Sequence, residues 1–282
     1  MPPGVRGAYV DLGGRRLRVV RAGPAGGEPL VVLEHGAFGC AADWAVVQDR
    51  LAAKGFRSLA YDRAGLGLSD PGPLPRDGRA ITADLAALLG ALGEPGPYVL
   101  VGHSMGGLMV RLFAITHPQR VTGVVLVDAV VPEIMQMRGG PAAVRAFWRL
   151  LRLARLGARF GIMRPVSRLT HNLIGLDREA AAEKRRIHGS ASHAHGSTEE
   201  VAAWPTTSEM AAEAEFPARM PIAVITAGAE HAAPTLKALQ ALPAMASRRG
   251  YVEHVAGARH ASLLGLRFAD PIVRGVEHVV GG

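Results

Sequence analysis

Cysteine is almost absent: Cys40 is the single one in 282 residues. That excludes a disulfide scaffold and any zinc cluster built on cysteines. Lysine is nearly as scarce, with Lys54, Lys184 and Lys237 the only three among 32 basic residues. The net charge of +8 therefore rests on arginine, and a basic balance of this kind is weak support for nucleic-acid binding. Aromatic side chains make up only 5% of the chain, with four Tyr and three Trp. Without a basic–aromatic motif beside them they do not make a base-stacking surface. No apolar run approaches the roughly 18 residues of a membrane span, and residues 1–16 lack the apolar block of a secretory signal. The expectation is a cytoplasmic protein that acts on a small molecule and has no nucleic-acid partner.

What is present is apolar surface, 49% of the residues, enough for a large core. Short apolar strands alternate with helical stretches. Tyr9–Leu12 and Leu17–Ala22 flank Gly13 and Gly14 as a hairpin. Leu30–Glu34, Arg57–Tyr61, Tyr98–Val101, Val121–Val127, Pro221–Ala227 and Tyr251–Val255 read as further strands. Helices are expected over Trp44–Lys54, Ile81–Leu92, Met105–Thr116, Thr235–Met245 and Asp270–Val280. Continuous apolar strands between helices signal an α/β fold with a mostly parallel sheet covered on both faces. Pro132 to Arg219 breaks the alternation: it holds no convincing strand and is mostly helical. The expected organisation is a core domain from residues 1–131 and 220–282, with 132–219 inserted as a helical cap.

The strongest chemical signal is Gly102-His103-Ser104-Met105-Gly106, between an expected strand and an expected helix. That is the context of a nucleophile elbow, in which a strained turn exposes the serine hydroxyl at a helix N-terminus. A side chain at Gly102 or Gly106 would strike neighbouring backbone. An oxyanion needs donors, and His35-Gly36-Ala37-Phe38-Gly39 follows the strand Leu30–Glu34, where a backbone N–H can face the serine. The N–H groups of Ala37 and Met105 are the expected pair. His35 is read as an anchor of its loop. Cys40 is read as a small packed side chain. His188, His193 and His195 are read as part of a polar Ser/His/Gly loop rather than a metal site, and no metal or organic cofactor is expected.

Taken together, His35-Gly36-x-x-Gly39, Tyr61-Asp62-Arg63-x-Gly65-x-Gly67-x-Ser69-Asp70 and Gly102-x-Ser104-x-Gly106 resemble the α/β-hydrolase fold, in the group of cap-bearing esterases, perhydrolases and related serine hydrolases. The resemblance spans about residues 9–131 and 221–280. It implies an eight-stranded sheet and the chain order serine, acid, histidine. The base is then expected after the last strand, at His260, in a loop that can swing toward Ser104; His254 lies within the strand itself. For the acid the resemblance offers two positions. Glu230, four residues before Pro234, is the first candidate, although aspartate is more usual there. Asp128, just after the strand Val121–Val127, is the alternative. Asp62 and Arg63 are expected in an internal ion-pair and turn network.

The implied activity is cleavage of an ester-type bond of a small, largely apolar substrate through an acyl-enzyme on Ser104. Lactonase, carbon–carbon hydrolase and cofactor-free perhydrolase chemistry use the same residues, and a noncatalytic ligand-binding protein could share the scaffold. An aspartate in place of Ser104 would have pointed to epoxide or haloalkane chemistry. Between Arg138 and Arg168 lie eight arginines and no acid, with Arg145, Arg149, Arg152 and Arg159 roughly on one helical face. They read as a solvated basic face of the cap or, alternatively, as a surface for membranes or anionic substrates.

Overall fold

The computed structural model describes residues 5–26, 29–160 and 172–281. Eight strands form one sheet: β1 (Ala8–Asp11), β2 (Arg16–Ala22), β3 (Leu30–Glu34), β4 (Ser58–Tyr61), β5 (Tyr98–His103), β6 (Val121–Val127), β7 (Ile222–Ala227) and β8 (Gly250–Val255). The order across the sheet is β1-β2-β4-β3-β5-β6-β7-β8. β2 is antiparallel to both β1 and β4, and β3 through β8 run parallel. The hairpin at the edge turns through Gly13 and Gly14, at φ +77° and +100°, the left-handed pair that a tight hairpin needs.

The described helices are α1 (Ala45–Ala53), α2 (Gly78–Ala91), α3 (Gly106–Thr116), α4 (Gly140–Arg159), α5 (Arg178–His188), α6 (Ala191–Ala202), α7 (Trp204–Ala211), α8 (Pro234–Ala246) and α9 (Asp270–Val280). Strand periodicity sends Val99 and Val101 of β5 to one face, where they meet Trp44, Leu51 of α1 and Ile272 of α9. Tyr98 and Leu100 go to the other face, against Leu88 of α2 and Phe113 of α3. Burial on both faces is why the central strands read as unbroken apolar runs. The expected architecture, a mostly parallel eight-stranded sheet between two helical layers, is the one observed.

Between β6 and β7 no strand occurs among the described residues; the chain runs through α4 to α7. His188, His193 and His195 do not form a polar loop: His188 closes α5, and the other two lie in α6. The reason is local, because Ser190 caps α6, its hydroxyl accepting from the His193 N–H at 3.2 Å. The insertion is fastened to the core by buried charge. Arg63 donates to both oxygens of Glu200 in α6, at 2.8 and 2.7 Å, and to Glu34 at the end of β3. Arg18 of β2 pairs with Asp62 at 3.2 Å and with Glu183 of α5 at 2.5 Å. Asp62 and Arg63 thus both enter internal ion pairs, but each with other partners. No described helix is long and apolar enough to cross a membrane.

Candidate active site

Ser104 follows directly on β5 and precedes α3. Its φ is +54°, a region that a non-glycine residue occupies at a cost of about 1–3 kcal/mol. The turn is held there by the end of β6 and the residues after it: the Ser104 N–H donates to Val127 O at 3.1 Å, and Ser104 O accepts from the Val130 N–H at 2.9 Å. The flanking glycines are needed for close approach. A Cβ at Gly102 would lie 2.7 Å from Gly106 O, and one at Gly106 would collide with Glu34 O. The elbow expected at Ser104 is therefore present as a strained turn between strand and helix.

The loop after β3 lies against this turn: a Cβ on Gly36 would come within 2.9 Å of Ser104 Cβ. Arg63 donates to the carbonyls of His35 and Gly36, at 2.6 and 3.1 Å. His35 Nδ1 sits 2.9 Å from Gly36 O. Burial, reinforced by the nearby Arg63 charge, holds His35 well below the usual imidazole range, so it serves here as a neutral anchor. The N–H groups of Ala37 and Met105 make no hydrogen bond among the described residues. Two unpaired backbone donors beside a strained serine are what a developing oxyanion requires. Cys40 is fully buried, and burial pushes its thiol up.

The two candidate acids are separated by geometry. Asp128 immediately follows β6, whose Val127 is in register with His103 of β5, so Ser104 and Asp128 emerge from neighbouring strand ends. Asp128 Oδ2 lies 2.6 Å from His260 Nδ1. Its other oxygen accepts from the Ala227 N–H and from Gln240 of α8, both at 3.3 Å. Burial opposes the charged carboxylate, but the His260 hydrogen bond and these donors hold Asp128 below the usual range. Glu230, the first candidate from the sequence, is exposed in the loop after β7, one strand further along the sheet, and no hydrogen bond or ion pair joins it to His260; its charge acts on His254. His254 is fixed in β8, bonded to Thr226 Oγ1 at 2.6 Å.

His260 is half exposed, at 52% of its side chain. A residue that the sequence did not single out steadies it. His103 donates from Nε2 to His260 O at 3.1 Å, and the two rings lie 4.6 Å apart. Burial, with the neighbouring His260, lowers His103 to about 3, so His103 is a neutral brace rather than a competing base. Ser104 and His260 both line a cavity of about 440 Å³. Phe38, Phe147, Leu173, Ile174 and Leu264 supply apolar wall, and Lys184 and Arg185 of α5 add two cations. Lys184 is paired with Asp43, whereas Arg185 has no acidic partner among the described residues. Phe38 and Leu264 belong to the core, whereas Phe147, Leu173, Ile174, Lys184 and Arg185 come from the segment between β6 and β7, where the sequence marked no wall residue. Among the described residues no three of His, Cys, Asp or Glu converge on a metal position.

A family model for the alpha/beta hydrolase fold matches residues 29–265. The chain belongs to the alpha/beta hydrolase fold family. Within that family it is 40% identical over 120 residues to a non-heme chloroperoxidase of Streptomyces lividans, a stretch covering 42% of this chain and 43% of the relative. It is 39% identical over 117 residues to epoxide hydrolase A of Mycobacterium tuberculosis (strain ATCC 25618 / H37Rv), covering 41% and 36%. The chain matches less than half the length of such curated relatives. Among solved structures, the epoxide hydrolase CorEH superposes with a TM-score of 0.74 at 18% identity, covering 98% of each chain. That likeness speaks for the hydrolase fold; the varied names leave the reaction to be argued from the site.

Proposed function

We propose that this α/β hydrolase cleaves an ester-type bond of a small, largely apolar substrate through an acyl-enzyme on Ser104. The observation that carries the reading is the 2.6 Å pairing of His260 Nδ1 with Asp128 beside the cavity that Ser104 also lines. With Nδ1–H donating to the carboxylate, Nε2 is the nitrogen left to accept a proton. Ser104 Oγ attacks the carbonyl carbon as its proton passes to His260 Nε2. The negative charge moves to the carbonyl oxygen, which the Ala37 and Met105 N–H groups receive. Collapse expels the alcohol, which takes the proton from His260, and water repeats the sequence to release the acid. Asp128 keeps the ring oriented and stabilises its cation. Residues 132–219 act as a cap whose apolar wall selects the acyl or alcohol group. Serine at position 104 favours this acyl chemistry over the epoxide opening named for some relatives.

A fluorophosphonate should form one adduct, on Ser104, and an unlabelled Ser104 would overturn the proposal. Asp128→Ala should lower kcat by about 10³–10⁴, while Glu230→Ala stays near the parent rate. The reverse ranking would return the acid to Glu230.

A further inference from the structure

We propose that α4 is a docking helix for an anionic lipid surface, which it meets with one apolar ridge and one row of arginines. Of its 20 residues only Val144, Leu151 and Ala158 are buried, and their seven-residue spacing puts all three on one side. The opposite side carries Leu153, Leu156 and, just past the helix end, Phe160, exposed at 67%, 56% and 71%, with Leu150 at the flank at 61%. Single exposed leucines need no explanation, but a contiguous ridge does. Beside the ridge run Arg145, Arg149, Arg152 and Arg159. Arg152 stacks over Trp148 at 4.8 Å; of the five arginines of α4 only Arg155 has an acidic partner among the described residues, Glu199 at 3.3 Å.

The occupant follows from this combination. The ridge calls for an apolar medium, and the arginines call for anions within the same few ångströms. A helix with a strongly charged face and low net hydrophobicity that lies in a headgroup layer meets both demands. A second copy of the chain would set one arginine row against another. A nucleic acid would satisfy the cations and leave the leucines in water. The position of α4 adds a consequence. Its Phe147 lines the Ser104 cavity, and Leu173, 75% exposed, lines it too. Docking through α4 would bring the cavity opening near the lipid, where apolar esters concentrate.

The test is sedimentation with vesicles of phosphatidylcholine alone or with phosphatidylglycerol replacing part of it, at low and at physiological salt. Binding should require the anionic lipid and weaken as salt shortens the reach of the charges. Replacing Arg149 and Arg152 together by Gln should lower the partition roughly thirtyfold, since each basic side chain near such a surface contributes about fivefold. Leu153→Gln with Leu156→Gln should lower it as well, while hydrolysis of a soluble ester stays unchanged. Ser104→Ala should bind like the parent, which separates failure of docking from failure of acyl transfer. No binding to anionic vesicles at low salt, or binding indifferent to both pairs of substitutions, overturns the proposal. A dimer that the leucine substitutions dissolve would assign the ridge to a second copy instead. Salt-sensitive RNA binding untouched by them would assign the arginines to nucleic acid.

Discussion

Helices α5 and α6 press on the sheet through buried carboxylates, whereas α4, outside them, is held by three buried side chains and leaves most of its arginines in water. The inner pair is fixed in one register, because Glu183 and Glu200 each find a guanidinium that is itself fully buried. A buried ion pair adds little net stability against an apolar substitute, yet it punishes any arrangement that leaves one partner alone. The outer helix has no such lock. Rigid placement near Ser104 and a chemically open surface are thus divided between two layers of one insertion.

The sharpest way to break this contrast is to remove one buried partner. Glu200→Ala leaves Arg63 unpaired on that side and should cost about 3–5 kcal/mol, read by denaturant unfolding. Arg149→Gln on α4 should change stability by less than about 0.5 kcal/mol. Equal losses would mean that the two layers are not held differently.

Acid tests the same inner layer. Burial, aided by the Lys184 charge, lowers His193 of α6 to about 3 from its ordinary 6.5, and His103 is lowered to a similar value. The folded chain refuses protons that the unfolded chain accepts. Stability should therefore be full above pH 6.5 and fall steadily toward pH 3, by roughly 2 kcal/mol per residue near pH 5. His193 Nδ1 accepts from the Gly67 N–H at 3.0 Å. His193→Asn keeps an acceptor near that point and removes the titration, so its Tm should decline less between pH 7 and pH 5. An unchanged slope would place the acid sensitivity elsewhere.

The smallest expected effect concerns the two cations of α5. Lys184 is committed to Asp43, while Arg185 faces the cavity with no acid beside it among the described residues, and residues 161–171 contain no Asp or Glu. Arg185→Gln should raise KM about tenfold for an ester carrying a carboxylate and leave a neutral ester unaffected. Equal changes for both esters would make Arg185 part of the scaffold only.

Much of this was legible in the sequence, for identifiable reasons. β3 and β6 have the bounds expected from the sequence, because both faces of the central sheet are dry and their strands are mostly apolar. The elbow at Ser104 was legible because its glycines are forced by backbone contacts a few residues away. Which carboxylate meets His260 was not, since Asp128 and Glu230 both follow strands and only three-dimensional neighbourhood separates them. Glu183 and Glu200 look like surface acids in polar helices. Their burial depends on Arg18 and Arg63, 165 and 137 residues distant, which no local pattern can register. The brace at His103 was hidden within the elbow motif for the same reason.

The loop that carries Glu230 gains an unexpected freedom from the position of Asp128. The Asp128–His260 contact draws on Ala227 and Gln240 at either side of that loop and on none of residues 229–233. Residues 230–233, all exposed, are thus a natural point at which to open the chain for circular permutation or to graft a reporter peptide, with Ser104, Asp128 and His260 left in place.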